Sequence, residues 1–345
     1  MSSFATRLVL APWALRQLGA TSFDELKKLL ASPEYEGWGK DGLSLYTPQL
    51  ISRIPAHKRP GASDDQLREY DANIVRHWKA ITTKRNANGP TLYPTYFQYL
   101  GLLLTEIYLD RYFRDPDALL ASLNQAVHTA NGEAGAREQL LPYTAGDLNK
   151  LAFWMATGSG KTLLMHCHIR QYLHYAGRAN RRHELNKIIL LTPNESLSRQ
   201  HRDEFALSGI EAELFDRNGP TLFSGRGVDI IDIHKLGETT KEKVIAISEF
   251  EGRNLVLVDE GHRGASGDEW LDKRAALCAA GFSFEYSATF GQAIKAAGSA
   301  TPPREGKPAS KGYTLTAIVI GSRPCSTASS TRSSPWLSSF RMPWR

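Results

Sequence analysis

The stretch MATGSGKT, Met155 to Thr162, follows an apolar segment and precedes one with apolar residues at helical spacing, Met165, Ile169, Tyr172, Leu173 and Ala176. Glycines here let successive backbone N–H groups turn inward around phosphate oxygens, and the start of a helix adds positive potential. Thr157, Gly158, Ser159, Gly160, Lys161 and Thr162 are therefore candidate ligands of a nucleotide's phosphates. Lys161 would reach the β and γ phosphates and Thr162 would ligate Mg²⁺, which makes ATP and Mg²⁺ the expected cofactors. One position departs from the general pattern G-x-x-x-x-G-K-[ST]: Met155 stands where the first Gly is usual.

About a hundred residues further on, NLVLVDEGH, Asn254 to His262, reads as an apolar strand that ends in two adjacent carboxylates. In a doubly wound sheet, ligands collect at the carboxyl ends of the strands. Asp259 is then expected to hold Mg²⁺ through its water shell, and Glu260 to orient and deprotonate the attacking water of a phosphoryl transfer. An acidic pair after a strand, taken alone, reads as an exposed loop; beside a phosphate-binding loop it gains a role.

The elements that must position these groups follow from periodicity. Residues 1–145 show helical spacing: Asp64 to Thr82 puts Leu67, Tyr70, Ile74, His77 and Trp78 on one face, and Tyr93 to Phe113 is richer still in large side chains, until Pro116 stops the run. This aromatic stripe is read as ordinary helix packing rather than a platform for stacking bases. Residues 146–291 change to short apolar strands separated by helical stretches: Leu151 to Met155, Lys187 to Leu191, Val228 to Ile233, Leu255 to Val258 and Phe282 to Tyr286. Such alternation predicts an α/β fold with a parallel sheet covered on both faces, preceded by a mostly helical region.

Three ordered motifs carry a resemblance. MATGSGKT, DEGH (Asp259 to His262) and SAT (Ser287, Ala288, Thr289) occur in the order and approximate spacing of superfamily II helicases. Within that group the chain looks most like the DEAD/DEAH-box (DExH) proteins related to the ATPase subunit of type III restriction enzymes, in which a Met-initial first motif is common. The resemblance spans roughly residues 147 to 291 and implies a recA-like P-loop NTPase fold. It also implies a DNA-directed helicase or translocase that hydrolyses ATP, with duplex DNA as its track and a modification or specificity subunit as a candidate partner. His262, Ser287 and Thr289 would couple nucleotide state to strand movement. LTPNESLSRQH, Leu191 to His201, is similar to motif Ia, which makes Thr192, Asn194 and Ser196 candidate contacts to a nucleic-acid backbone. Asn194 reads equally well as a helix N-cap.

Composition bounds the rest. Of the net charge of +6, residues 292–345 carry +7, leaving −1 for residues 1–291, so overall basicity says nothing about nucleic acid. That tail, with ten Ser, six Pro and five Thr, shows no sustained period apart from Tyr313 to Ile320 and is read as disordered or frameshifted. A family helicase has a second recA-like domain that supplies arginine fingers, and no room for it remains after Phe290. The expectation is a motor half truncated before that domain, binding ATP·Mg²⁺ but hydrolysing it slowly, without DNA cleavage. A catalytically weak, nucleotide-dependent interaction module is the alternative; a P-loop transporter or GTPase is disfavoured by the SAT motif and the lack of an Asn-Lys-x-Asp stretch. Cys167, Cys278 and Cys325 show no paired spacing, and no apolar run is long enough for a membrane span, so a cytoplasmic chain is expected. His166, Cys167, His168 and His174 lie on one helix at spacings that point neighbours apart and are not read as a zinc site. Asp115 to Asp117 is read as a loop at a Pro turn.

Overall fold

The computed structural model describes residues 9–133, 140–156, 158–215, 227–237, 245–246, 250, 252–259, 276–278, 280–287 and 317–319. Six helices open the chain: α1 (Leu10–Gln17), α2 (Phe23–Leu30), α3 (Tyr46–Arg53), α4 (Asp64–Asn86), α5 (Tyr96–Arg114) and α6 (Pro116–Glu133). The start of α4 is chemically marked. Ser63 accepts the Gln66 N–H, and Gln66 Oε1 accepts the Ser63 N–H in return, a capping box that opens α4.

The Asp115–Asp117 segment is a junction between two helices rather than a loop. Pro116 ends α5 but occupies the first position of α6, where its missing N–H costs nothing, and Asp115 Oδ1 accepts the Ala118 N–H. The stripe on α4 packs as expected: Leu67, Tyr70, Ile74, His77 and Trp78 are all buried.

The second half alternates strands and helices: β1 (Lys150–Trp154), α7 (Lys161–Arg178), β2 (Leu185–Thr192), α8 (Glu195–Leu207), β3 (Ala212–Leu214) and β4 (Val228–Asp232). Then come β5 (Leu236–Gly237) and β6 (Ile245–Ala246), which pair with each other, and β7 (Arg253–Asp259), β8 (Phe282–Ser287) and β9 (Ala317–Val319). The main sheet has seven strands in the order β3-β4-β2-β7-β8-β1-β9, all parallel. The strand β9 falls inside the one periodic stretch of the tail and pairs with β1, Ala152 opposite Ala317 and Trp154 opposite Val319.

Strand alternation sends successive side chains to opposite faces. Leu190, Leu255 and Leu257 join a large core that runs from α1 to β8, whereas Ile189, Leu191, Val256 and Val258 join a second cluster on the other face with Phe250 and Leu277. The large core is shared between the helical region and the sheet, because α5 and α4 pack on α7. The fold is therefore α/β, as the sequence predicts, with the helical region built onto one face of the sheet.

Candidate nucleotide site

The phosphate-binding loop joins β1 to α7. Gly158 and Gly160 both hold left-handed backbone (φ 77° and 81°), which L side chains rarely adopt, so glycine is required there by conformation. Gly160 is also the residue that caps α7, and Lys161 and Thr162 occupy the first two helical positions. Their N–H groups have no acceptor within the helix, as at any helix start. Ala156 and Gly158 are exposed, so the loop opens to solvent. Met155 does not follow the loop outward. Its side chain is buried in the main core and its N–H donates to Ser287 O at 3.0 Å, which accounts for an apolar residue at the position where Gly is usual.

The sheet register brings the motifs together. On neighbouring strands Trp154 of β1 lies opposite Ser287 of β8, and Tyr286 of β8 lies opposite Asp259 of β7. The loop after β1, the Ser of SAT and the Asp of DEGH thus stand at one edge of the sheet on three adjacent strands. At a strand spacing of about 4.8 Å, Asp259 is two strands, or ~10 Å, from the end of β1. Thr157, Glu260, His262 and Thr289 lie outside the described residues.

Two residues near this edge are not among the candidate site residues read from the sequence. Gln98, in the first turn of α5, accepts the Thr95 N–H on Oε1 at 2.9 Å and donates from Nε2 to Ser159 O of the phosphate loop at 2.8 Å. A methyl group at position 160 would overlap that amide, a second reason for glycine there. The T-x-x-Q spacing could have marked the helix start, but its partner is 61 residues away. The other residue is His201 on α8, whose Nε2 lies 2.8 Å from Asp259 Oδ2, with both side chains largely buried.

The motif Ia segment forms the turn from β2 into α8. Asn194 caps α8, its Oδ1 accepting the Leu197 N–H at 2.9 Å. Thr192 is buried, with its hydroxyl 2.6 Å from that of Ser198, while Asn194 and Ser196 are exposed.

The His and Cys residues of α7 go to separate partners. His166 Nδ1 meets Ser208 Oγ at 2.7 Å and its ring stacks on Phe205; His168 Nδ1 meets Tyr286 Oη at 2.6 Å; His174 lies against Asn73 and Arg76. Burial depresses the His168 imidazole to about 3 and pushes the Cys167 thiol well up. These residues belong to the packing of the phosphate-loop helix. Among the described residues no group of three or more His, Cys, Asp or Glu is placed to hold a metal.

A comparison with protein families matches residues 115–292, just over half of the chain, to the family described as Type III restriction enzyme, res subunit. The chain belongs to this family. No curated protein matches the chain. The res-subunit match begins at the α5–α6 junction and runs past β8, so it covers the phosphate loop and all three motif strands. Helicase-like ATPase domains of this kind use ATP with Mg²⁺, and the residues present fit that pair. Two left-handed glycines open the loop, a lysine begins the helix, and a carboxylate stands at the end of β7, two strands away at the same sheet edge. No described helix is long and apolar enough to cross a membrane.

Proposed function

We propose that this res-family chain is the ATP-binding motor domain of a DNA-directed helicase or translocase of the DEAD/DEAH-box type in superfamily II. The supporting observation is the register of β1, β8 and β7, which lines up the phosphate loop, Ser287 and Asp259 at one sheet edge. In this reading the loop amides from Gly158 to Thr162 cradle the phosphates and Lys161 neutralises the β and γ oxygens. Thr162 and Asp259 hold Mg²⁺, which when bound offsets charge on the transferring phosphoryl group. Glu260 orients and deprotonates the attacking water. His262, Ser287 and Thr289 pass the nucleotide state to the nucleic acid, and Thr192, Asn194 and Ser196 form the turn that meets its backbone. Duplex DNA is the track, with a modification or specificity subunit as partner, and the chain works in the cytoplasm.

The test is duplex-DNA affinity, read by fluorescence anisotropy with and without a non-hydrolysable ATP analogue and Mg²⁺, beside ATP turnover of the wild type and Glu260→Gln. The expected result is a DNA affinity that changes with nucleotide and a turnover that Glu260→Gln abolishes. DNA affinity indifferent to nucleotide, or turnover that survives in Glu260→Gln, would sink the reading.

A further inference from the structure

We infer that His201 is a positioning residue for Asp259, fixing the carboxylate that holds Mg²⁺ and tying it to helix α8, whose start is the motif Ia turn. The inference rests on the ATP·Mg²⁺ reading above and adds to it a role for His201, the last residue of the motif Ia stretch.

The contact defines its own chemistry. An ionised carboxylate only accepts hydrogen bonds, so at 2.8 Å the His201 Nε2 carries the hydrogen and donates it to Oδ2. Nδ1 is buried without a hydrogen-bond partner among the described residues, which leaves the Asp259 contact as the polar tether of the ring among them. Asp259 is the last residue of β7. Pinning Oδ2 sets the direction in which the group meets a metal-bound water. Hydrogen bonds of this outer kind tune metal sites strongly in general.

The tether is stiff because α8 is held along its length. Ser198, His201 and Phe205 are the buried residues of the helix, at spacings of three and four that place them on one face. Ser198 is locked to Thr192 and to Asn194 O near the first turn. Phe205 stacks on His166 of α7. At the far end, α4 grips the last turn: Lys84 Nζ donates to Ala206 O at 2.7 Å, and Arg85 donates to Glu204 O at 3.2 Å and pairs with its carboxylate. Such donors suit the negative end of a helix. His201 sits six residues, ~9 Å, along the axis from Glu195. A rigid helix gripped this way moves as a body, so a displacement of the motif Ia turn reaches Asp259 through one hydrogen bond.

The test titrates a non-hydrolysable ATP analogue into the purified full chain, with Mg²⁺ and with EDTA, for the wild type, His201→Ala, His201→Gln and Asp259→Asn. The readout is the gain in analogue affinity that Mg²⁺ confers. Removal of an outer-shell partner reduces metal affinity by about 10- to 100-fold in general. His201→Ala is expected to cut the Mg²⁺ gain by about tenfold and leave the EDTA affinity unchanged. His201→Gln, whose amide N–H can occupy the place of Nε2–H, is expected to restore most of the gain. A His201→Ala chain with the full wild-type gain overturns the inference, as does one that loses affinity equally in Mg²⁺ and EDTA while His201→Gln does the same. A wild type that shows no Mg²⁺ gain, or a gain untouched by Asp259→Asn, overturns the ATP·Mg²⁺ reading itself.

Discussion

The sheet half and the helical half of this chain hold their polar groups in opposite ways. In the sheet half the candidate site residues stand at one sheet edge, on the loop following β1 and at the last residues of β8 and β7. In the helical half a set of buried and half-buried polar side chains reaches across to the sheet half. Gln98 bonds to Ser159, Glu106 to Gln171 and Tyr175, and Arg85 to Glu204 and Ser208. One half presents chemistry and the other holds its two helices, α7 and α8, in place. Buried polar groups of this sort are costly unless satisfied, so the helical region is part of the motor's fold rather than an appendage.

The largest expected effect tests whether the halves are one cooperative unit. Trp78 is buried on α4 and donates from Nε1 to Leu92 O at 2.9 Å. Trp78→Ala is expected to destabilise the chain by about 3–5 kcal/mol and to lower thermal stability and nucleotide affinity together. A variant that binds nucleotide normally at temperatures where its helical signal is lost would show the halves to be independent.

Next in size is the buried Glu106 between α4, α5 and α7. Burial raises its carboxyl to about 7 from the ordinary 4.5 of a free Glu, against hydrogen bonds from Tyr175, Gln171 and Asn73 that favour the anion. Between those values the folded chain keeps a proton that the unfolded chain has lost. The group therefore weakens the fold as pH rises from 4.5 to 7, in total by on the order of 3 kcal/mol. His77 and His168 act in the opposite sense: burial depresses both to about 3, and their contribution is lost as pH falls from 6.5. Urea unfolding of the wild type and Glu106→Gln at pH 5 and pH 7.5 isolates the carboxyl. The variant's relative stability is expected to rise with pH, and an equal difference at both values would contradict the assignment.

Two smaller effects sharpen the contrast. Gln98→Ala removes one hydrogen bond to the phosphate loop, worth ~1 kcal/mol, and is expected to weaken analogue binding about fivefold. Its melting temperature should change little, and a large fall without loss of affinity would make Gln98 a folding residue alone. Asn194→Ala removes the α8 cap and is expected to cost about 0.5 kcal/mol, the low end for an exposed cap. Analogue affinity in EDTA should be untouched, and a change there would place Asn194 in the nucleotide site.

The same contrast explains what could be read in the sequence. Strands and the phosphate loop are local patterns: an apolar run, a left-handed Gly, a Lys at a helix start. Leu255 to Val258 and Phe282 to Tyr286 were therefore legible and differ from β7 and β8 only at their ends. The strand β2 is longer than its apolar run, Leu185–Thr192 against Lys187 to Leu191, because Leu185 pairs with Arg253 of β7 at one end and Thr192 with Asp232 of β4 at the other. Helix α5 starts at Tyr96 rather than Tyr93 because Pro94 and Thr95 precede the first turn. The contacts of Gln98 and His201 are not legible because a single Gln or His has no local period, and their partners lie 61 and 58 residues away. The junction at Asp115 differs from the loop expected there because Pro both stops one helix and opens another.

The central claim is that the loop from Gly158 to Thr162 binds ATP with Mg²⁺. Calorimetric titration of a non-hydrolysable ATP analogue with Mg²⁺ into the wild type and Lys161→Ala tests it most directly. Saturable binding by the wild type and a loss of about 10- to 100-fold in the variant are expected, the size of a charged hydrogen bond. Absent binding by the wild type, or equal affinity in both proteins, would contradict the assignment of this edge of the sheet as a nucleotide site.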